Sequence, residues 1–241
     1  MPLNKRIPHF EVSHFVRETN FKTHFMQIKN IIFDLGGVLL DVDYDATIQA
    51  FKEQNVTDFD SFFTQAAQVK LFDRLDKGEI PPQEFRDTLR QLSGVRIGDQ
   101  QIDEAWNAML GPFPEERMTL LKKVKTHYHI FLLSNTNAIH YPVYQEYMKV
   151  RFGMNGLEDL FEKQYLSYRI GMRKPDVEIF QHVVDDSGLH PGETLFIDDS
   201  LQHVQGAEKA GLHAVHLDVL NGSDITRLFN KNGLLSHPVS S

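Results

Sequence analysis

Asp34 closes an apolar run, Asn30-Ile31-Ile32-Phe33, and is followed at once by Leu35-Gly36-Gly37. Three β-favouring residues before the acid predict a buried strand, and the paired glycines predict a turn at its carboxyl end. In open α/β sheets that end borders the ligand crevice, which makes Asp34 a candidate nucleophile. Aspartate before glycine is also ordinary turn chemistry, so the chemical reading rests on three further segments. A second strand-like run from His129 ends in Ser134 and Asn135, a hydroxyl and an amide. Lys174 stands alone in Gly171-Met172-Arg173-Lys174-Pro175. A third run, Thr194-Leu195-Phe196-Ile197, ends in Asp198-Asp199-Ser200. A nucleophile, a phosphate-binding hydroxyl, a cation and an acidic metal corner thus follow one another along the chain.

The elements that must position these groups alternate. Met118, Leu121 and Val124 mark a helix opened by Glu115, and Ile139, Val143 and Tyr147 suit one after Ser134. Lys163 to Ser167 reads as a short strand, Val177, Phe180, Val183 and Val184 as a helix, Leu201, Val204 and Ala207 as another, and His213 to Leu217 as the last strand. Strands alternating with helices predict an α/β fold, a Rossmann-like doubly wound parallel sheet.

From Tyr44 to Leu110 only helical periods occur. Ala46 to Phe51 and Asp58 to Gln68 supply two helices, Phe85, Leu89 and Leu92 share the face of a third, and Ile102, Trp106 and Met109 that of a fourth, with Asp99 as its expected cap. An all-helical cap over 44–110 is therefore expected between two parts of the core, 30–43 and 111–235, with Gly111-Pro112-Phe113-Pro114 as the return hinge. Phe51, Phe59, Phe62, Phe63, Phe72, Phe85 and Trp106 read as its core, because helices of this length need such packing to persist.

With 241 residues, 41% of them apolar, the chain can bury one good core and carry a smaller module. A net charge of -8 without a basic run argues against nucleic acid or an anionic membrane as partner. Without cysteine there is no disulfide, thiolate catalysis or Cys-bound zinc. No stretch of about 18 apolar residues suggests a membrane span, and residues 1–29 lack the continuous apolar region of a secretory signal. A cytoplasmic protein is expected, with its oligomeric state open and a monomer favoured.

In these four motifs the chain resembles the haloacid dehalogenase superfamily of hydrolases, most of which are magnesium-dependent phosphatases. The match spans about residues 30–220, and four motifs in order are specific where one would be weak. Phe-Asp-Leu-Gly, Leu-Ser-Asn-Thr-Asn and Gly-Met-Arg-Lys-Pro bring it closer to a subgroup that includes bacterial α-glucose-1-phosphate phosphatase. The resemblance implies a small phosphorylated metabolite as partner, of the sugar phosphate kind, with Asp34 forming an aspartyl-phosphate and Lys174 neutralising charge. It implies Ser134, Asn135 and Lys174 around the phosphate, and Mg2+ held by Asp34, the Gly36 carbonyl and Asp199, with Asp198 direct or through water. In the cap, Asp73, Arg74 and Asp76 become candidate contacts to sugar hydroxyls.

One position departs from the family. Most members carry a proton-transferring aspartate two residues after the nucleophile, where this chain has Gly36. Asp41, Asp43 or a cap residue are the candidates to replace it. Halide displacement by Asp34 without metal, or a catalytically weak phosphometabolite-binding protein, are the alternatives. Residues 1–29 carry no motif, and deletion of residues 1–25 is expected to leave activity in place; loss of folded protein on that truncation would refute this.

Overall fold

A computed structural model describes residues 28–56 and 70–237. Five strands, β1 (Asn30–Phe33), β2 (His129–Ser134), β3 (Lys163–Leu166), β4 (Thr194–Asp198) and β5 (His213–His216), form one sheet in the order β3-β2-β1-β4-β5. All its pairings are parallel. The helices are α1 (Tyr44–Glu53), α2 (Leu71–Asp76), α3 (Pro82–Ser93), α4 (Asp99–Asn107) and α5 (Glu115–Val124), then α6 (Tyr141–Phe152), α7 (Ser167–Ile170), α8 (Val177–Ser187) and α9 (Leu201–Lys209).

Side-chain alternation explains why the strands read as unbroken apolar runs. Ile31, Phe33, Ile130, Leu132 and Ile197 pack with Met118 and Val124 of α5 and Met148 of α6. Ile32, Phe131, Leu133 and Phe196 point the other way, onto Phe180 of α8 and Ala207 of α9. Helices therefore cover both faces. The buried face of α6 is carried by Tyr144 and Met148, while Val143 is partly exposed. With β1 central, the chain winds to one side through β2 and β3 and to the other through β4 and β5, so the order reverses at the end of β1. That reversal opens a crevice outside the strand carboxyl ends.

Helices α1 to α4 build a separate apolar cluster around Phe51, Leu75, Phe85, Leu89, Ile102 and Trp106. Phe72 stacks on Trp106 at 5.1 Å and Phe85 lies 5.3 Å from the same ring. Phe59, Phe62, Phe63, the helix expected over 58–68 and residues 1–27 lie outside the described residues. The cap of α4 is Gly98 and not Asp99, because Gln101 Oε1 accepts the Gly98 N–H at 3.0 Å, while Asp99 begins the helix and pairs with Arg90.

The chain enters and leaves this cluster side by side. Val42 and Leu110 form an antiparallel bridge, Asp41 N–H donates to Pro112 O at 3.0 Å, and Gly111 N–H donates to Asp41 O at 2.9 Å. A Cβ on Gly111 would stand 2.9 Å from Asp41 O, so the crossing is close enough to need glycine. Arg117 of α5 secures it from beneath: Nη1 donates to Asp41 Oδ1 at 2.8 Å, and Nε and Nη2 donate to Asp224 Oδ2 at 3.0 and 2.8 Å. Among the described residues no helix is long and apolar enough to cross a membrane.

Arg117 is buried, and its loss removes the bonds that tie Asp41 and Asp224 to α5. Arg117→Ala should lower stability by about 2 kcal/mol, read as a fall in urea midpoint at unchanged slope.

Candidate active site

Three neighbouring strands deliver their last residues to one place. Asp34 follows β1, Ser134 ends β2, and Asp198 ends β4 with Asp199 next. Lys174 arrives from the segment between α7 and α8 and is fully buried. Its ammonium donates to Asp34 Oδ1 at 2.6 Å and to Asp198 Oδ2 at 2.7 Å, with the Phe196 ring centroid 5.4 Å away. Burial works against the lysine's charge, but Asp198 and Asp34 outweigh it and its pKa is raised.

The two acids that share the lysine diverge. Burial pushes Asp34 up to about 7, with Lys174 opposing and Asp198 adding to the rise. Burial also raises Asp198, but Lys174 and His203 overcome it and hold this carboxyl at about 2. His203 Nδ1 lies 2.9 and 3.1 Å from the two Asp198 oxygens, and Ser200 N–H donates to Oδ1 at 2.8 Å. Among the described residues Asp198 is thus wrapped in donors, whereas the Asp34 side chain has one.

Asp34, Asp198 and Asp199 each offer a carboxylate oxygen, and these oxygens lie within 4.8 Å of one another. An all-oxygen donor set of this kind matches what Mg2+ takes from a protein. Gly37 makes the approach of Asp199 possible. It has φ +71°, and a Cβ there would stand 2.1 Å from Asp199 Oδ2.

Asn135, expected beside the phosphate, also ties down the lysine's segment. Its Nδ2 donates to Lys174 O and its Oδ1 accepts the Lys174 N–H, both at 2.9 Å. The side chain thus fixes the lysine's backbone while it borders the cavity with a second Nδ2 hydrogen to spare.

A cavity of about 760 Å³ opens from this corner toward α1–α4. Asp34, Gly36, Ser134, Asn135, Lys174 and Asp199 all border it, while Asp198 lies behind the lysine with no exposure. Of the acids considered for proton transfer, Asp41 pairs with Arg117 and Asp43 caps α1 through Asp45 N–H and Ala46 N–H; neither borders the cavity. Asp73 pairs with Arg173 and Arg74 with Glu84, also away from it. Asp76 does face the cavity and accepts from Asn137 Nδ2 at 3.0 Å. Burial, against that hydrogen bond, pushes its carboxyl up to about 6.

Sequence reasoning passed over His203, Arg173, His140 and Tyr44, which also border the cavity. His140 is buried, and burial lowers its pKa to about 3, so the ring is neutral. Its Nδ1 lies 2.7 Å from Asn107 Oδ1, an acceptor, which places the proton on Nδ1.

Residues 28–211 match the haloacid dehalogenase-like hydrolase family. The chain belongs to that family. The D-ribitol-5-phosphate phosphatase of Bacteroides thetaiotaomicron is 33% identical to this hydrolase over 199 residues, covering 82% of this chain and 94% of that protein. A sesquiterpene phosphatase of Aspergillus oryzae is 28% identical over 193 residues, covering 78% and 89%. The crystal structure of a haloacid dehalogenase family enzyme from Bacteroides thetaiotaomicron, in complex with magnesium and inorganic phosphate, is similar with a TM-score of 0.76 and 39% identity, over 84% of this chain and 100% of that one.

In a Lys174→Met variant of this hydrolase, Asp34 faces Asp198 without the ammonium between them, and burial with repulsion from Asp198 raises the pKa of Asp34 further. A carboxyl whose folded pKa exceeds its unfolded value is destabilising once ionised. Stability of the variant in chelator should therefore fall as pH climbs from about 5 to 8, read as urea midpoints.

Proposed function

We propose that this hydrolase is a Mg2+-dependent phosphomonoesterase working through an aspartyl-phosphate on Asp34. The observation that carries the reading is the corner shared by Asp34, Asp198 and Asp199, with Lys174 bonded to the first two. Three carboxylates and one ammonium, all ionised, leave two negative charges, which would repel a phosphate dianion. Asp34, Asp199 and the Gly36 carbonyl would hold a divalent ion, with Asp198 orienting the shell from behind. When bound, the ion offsets the charge between phosphate and carboxylate.

The residues then divide the work. An Asp34 oxygen attacks phosphorus, the bond to the alcohol oxygen breaks, and the alcohol leaves with a proton. Water next attacks phosphorus, the bond to Asp34 breaks, and orthophosphate departs. The Ser134 hydroxyl and the Lys174 ammonium hold the non-bridging oxygens, where charge develops. Asn135 keeps Lys174 in place. With Gly36 two positions after the nucleophile, we assign proton delivery to Asp76, which borders the cavity and is raised toward neutrality.

Relatives that are phosphatases by name support this reading. A small phosphorylated metabolite of the cytoplasm is the substrate assigned, and a sugar phosphate such as glucose 1-phosphate is the finer reading carried from the sequence. Its anomeric leaving group asks less of an acid. Metal-free halide displacement would leave the acidic corner without a task.

Two measurements test the assignment. Phosphate release should require Mg2+, vanish in chelator, and fall by at least about 10⁴-fold in Asp34→Asn; metal-independent halide release from 2-chloropropionate would favour the dehalogenase instead. Asp76→Asn should slow alkyl phosphates by about 10²- to 10⁴-fold while slowing acetyl phosphate, whose leaving group needs no proton, far less.

A further inference from the structure

Asn137 ends the Leu-Ser-Asn-Thr-Asn segment beyond β2, is only 1% exposed and does not border the cavity. Its Oδ1 accepts Ile139 N–H and His140 N–H, both at 3.1 Å, which leaves the amide one orientation and fixes where Nδ2 points. Nδ2 meets Asp76 Oδ1 at 3.0 Å, at the end of α2. The turn that carries Asn137 is itself pinned: Thr136 N–H donates to Ser167 Oγ, and Ser167 Oγ donates to Thr136 O, both at 2.9 Å. A group anchored on the sheet thus holds an acid carried by the helical module.

We infer that Asn137 is the positioning residue for proton delivery: its Nδ2 holds Asp76 at the cavity, decides which carboxyl oxygen carries the proton, and steadies the carboxylate left when the proton has gone. This rests on the assignment of Asp76 as proton donor and adds the group through which the sheet governs it. Oδ1 already accepts from Nδ2, so the proton sits on Oδ2. As the bond between phosphorus and the alcohol oxygen breaks, that proton passes to the alcohol, and the Nδ2 bond becomes a bond to an anion, roughly twice as strong as before. It therefore favours the state that proton transfer produces. In the second step the attacking water returns a proton to Asp76.

The charged and titratable neighbours leave this control to Asn137. Burial, with Asp76 among the charges that add to it, raises both Tyr44 of α1 and Tyr144 of α6, so neither titrates near neutrality. Arg173, before α8, is paired with Asp73; Arg74 is paired with Glu84 of α3, and Arg169 of α7 lies over the Tyr141 ring. Burial raises Asp76, and the Asn137 bond is what lowers it.

Two variants keep an oxygen for the turn and remove the amide donor: Asn137→Ser, and Asn137→Asp, which also sets a second carboxylate against Asp76. The substrates are acetyl phosphate and whichever of ethyl phosphate, glycerol 3-phosphate and glucose 6-phosphate the parent enzyme hydrolyses fastest, with Mg2+, from about pH 5 to 9. On the inference, Asn137→Ser lowers kcat for the alkyl phosphate about tenfold and for acetyl phosphate less than about twofold. The alkaline limb of the alkyl profile moves to higher pH, because the bond that lowers the Asp76 pKa is gone, and it moves further in Asn137→Asp. In an Asp76→Asn background, Asn137→Ser costs no further activity. Equal slowing of both substrates, an unmoved limb, losses that multiply in the double variant, or failure of both Asn137 variants to fold overturns the inference; the proton-donor assignment still stands if Asp76→Asn alone slows the alkyl ester selectively. If Asp76→Asn slows both substrates alike, or the parent enzyme hydrolyses only acetyl phosphate, both fall together.

Discussion

A fully buried ammonium held between two carboxylates is the constraint on which the rest of the structure turns. Lys174 has no contact with solvent, so its charge persists only because Asp34 and Asp198 sit 2.6 and 2.7 Å away. Breaking one side of a buried pair of this kind typically costs about 3–5 kcal/mol, since the abandoned charge stays where it is. The lysine therefore ties the ends of β1 and β4 to the segment before α8, and Asn135 at the end of β2 grips that segment's backbone. Four pieces of chain, remote in sequence, are locked by one proton-rich nitrogen and one amide.

The uneven surroundings of the two acids follow from the same arrangement. Asp198 receives Lys174, His203 and the Ser200 N–H, and its charge is stabilised from every side. Among the described residues the Asp34 carboxylate receives the lysine alone, and it borders the open cavity. One acid is thereby fixed as an anion that holds the lysine, while the other keeps an oxygen toward the cavity.

Much of this was readable from the sequence because its signals are local. Each of Asp34, Ser134 and Asp199 lies at or just beyond the end of an apolar run, and a strand tip in an alternating α/β pattern is a predictable place. What escaped depends on contacts between distant segments. His203 reads as a surface histidine until α9 turns it onto Asp198, and among the cap candidates Asp73, Arg74 and Asp76 only the fold shows that Asp76 faces the cavity. Asn135 borders the cavity, as its place beyond a strand tip predicts, but only the position of the Lys174 backbone shows that its amide also anchors that segment. At Asp99 the side chain of Gln101 decided which residue caps α4.

The paired crossing at Asp41 and Gly111 has an implication for how such proteins diversify. Where the outgoing and returning chains are hydrogen-bonded neighbours, the intervening stretch hangs from a junction of a residue or two. It meets the core again at Asn137–Asp76, His140–Asn107 and Arg173–Asp73, so whatever replaces it inherits three partners already waiting beside the strand tips.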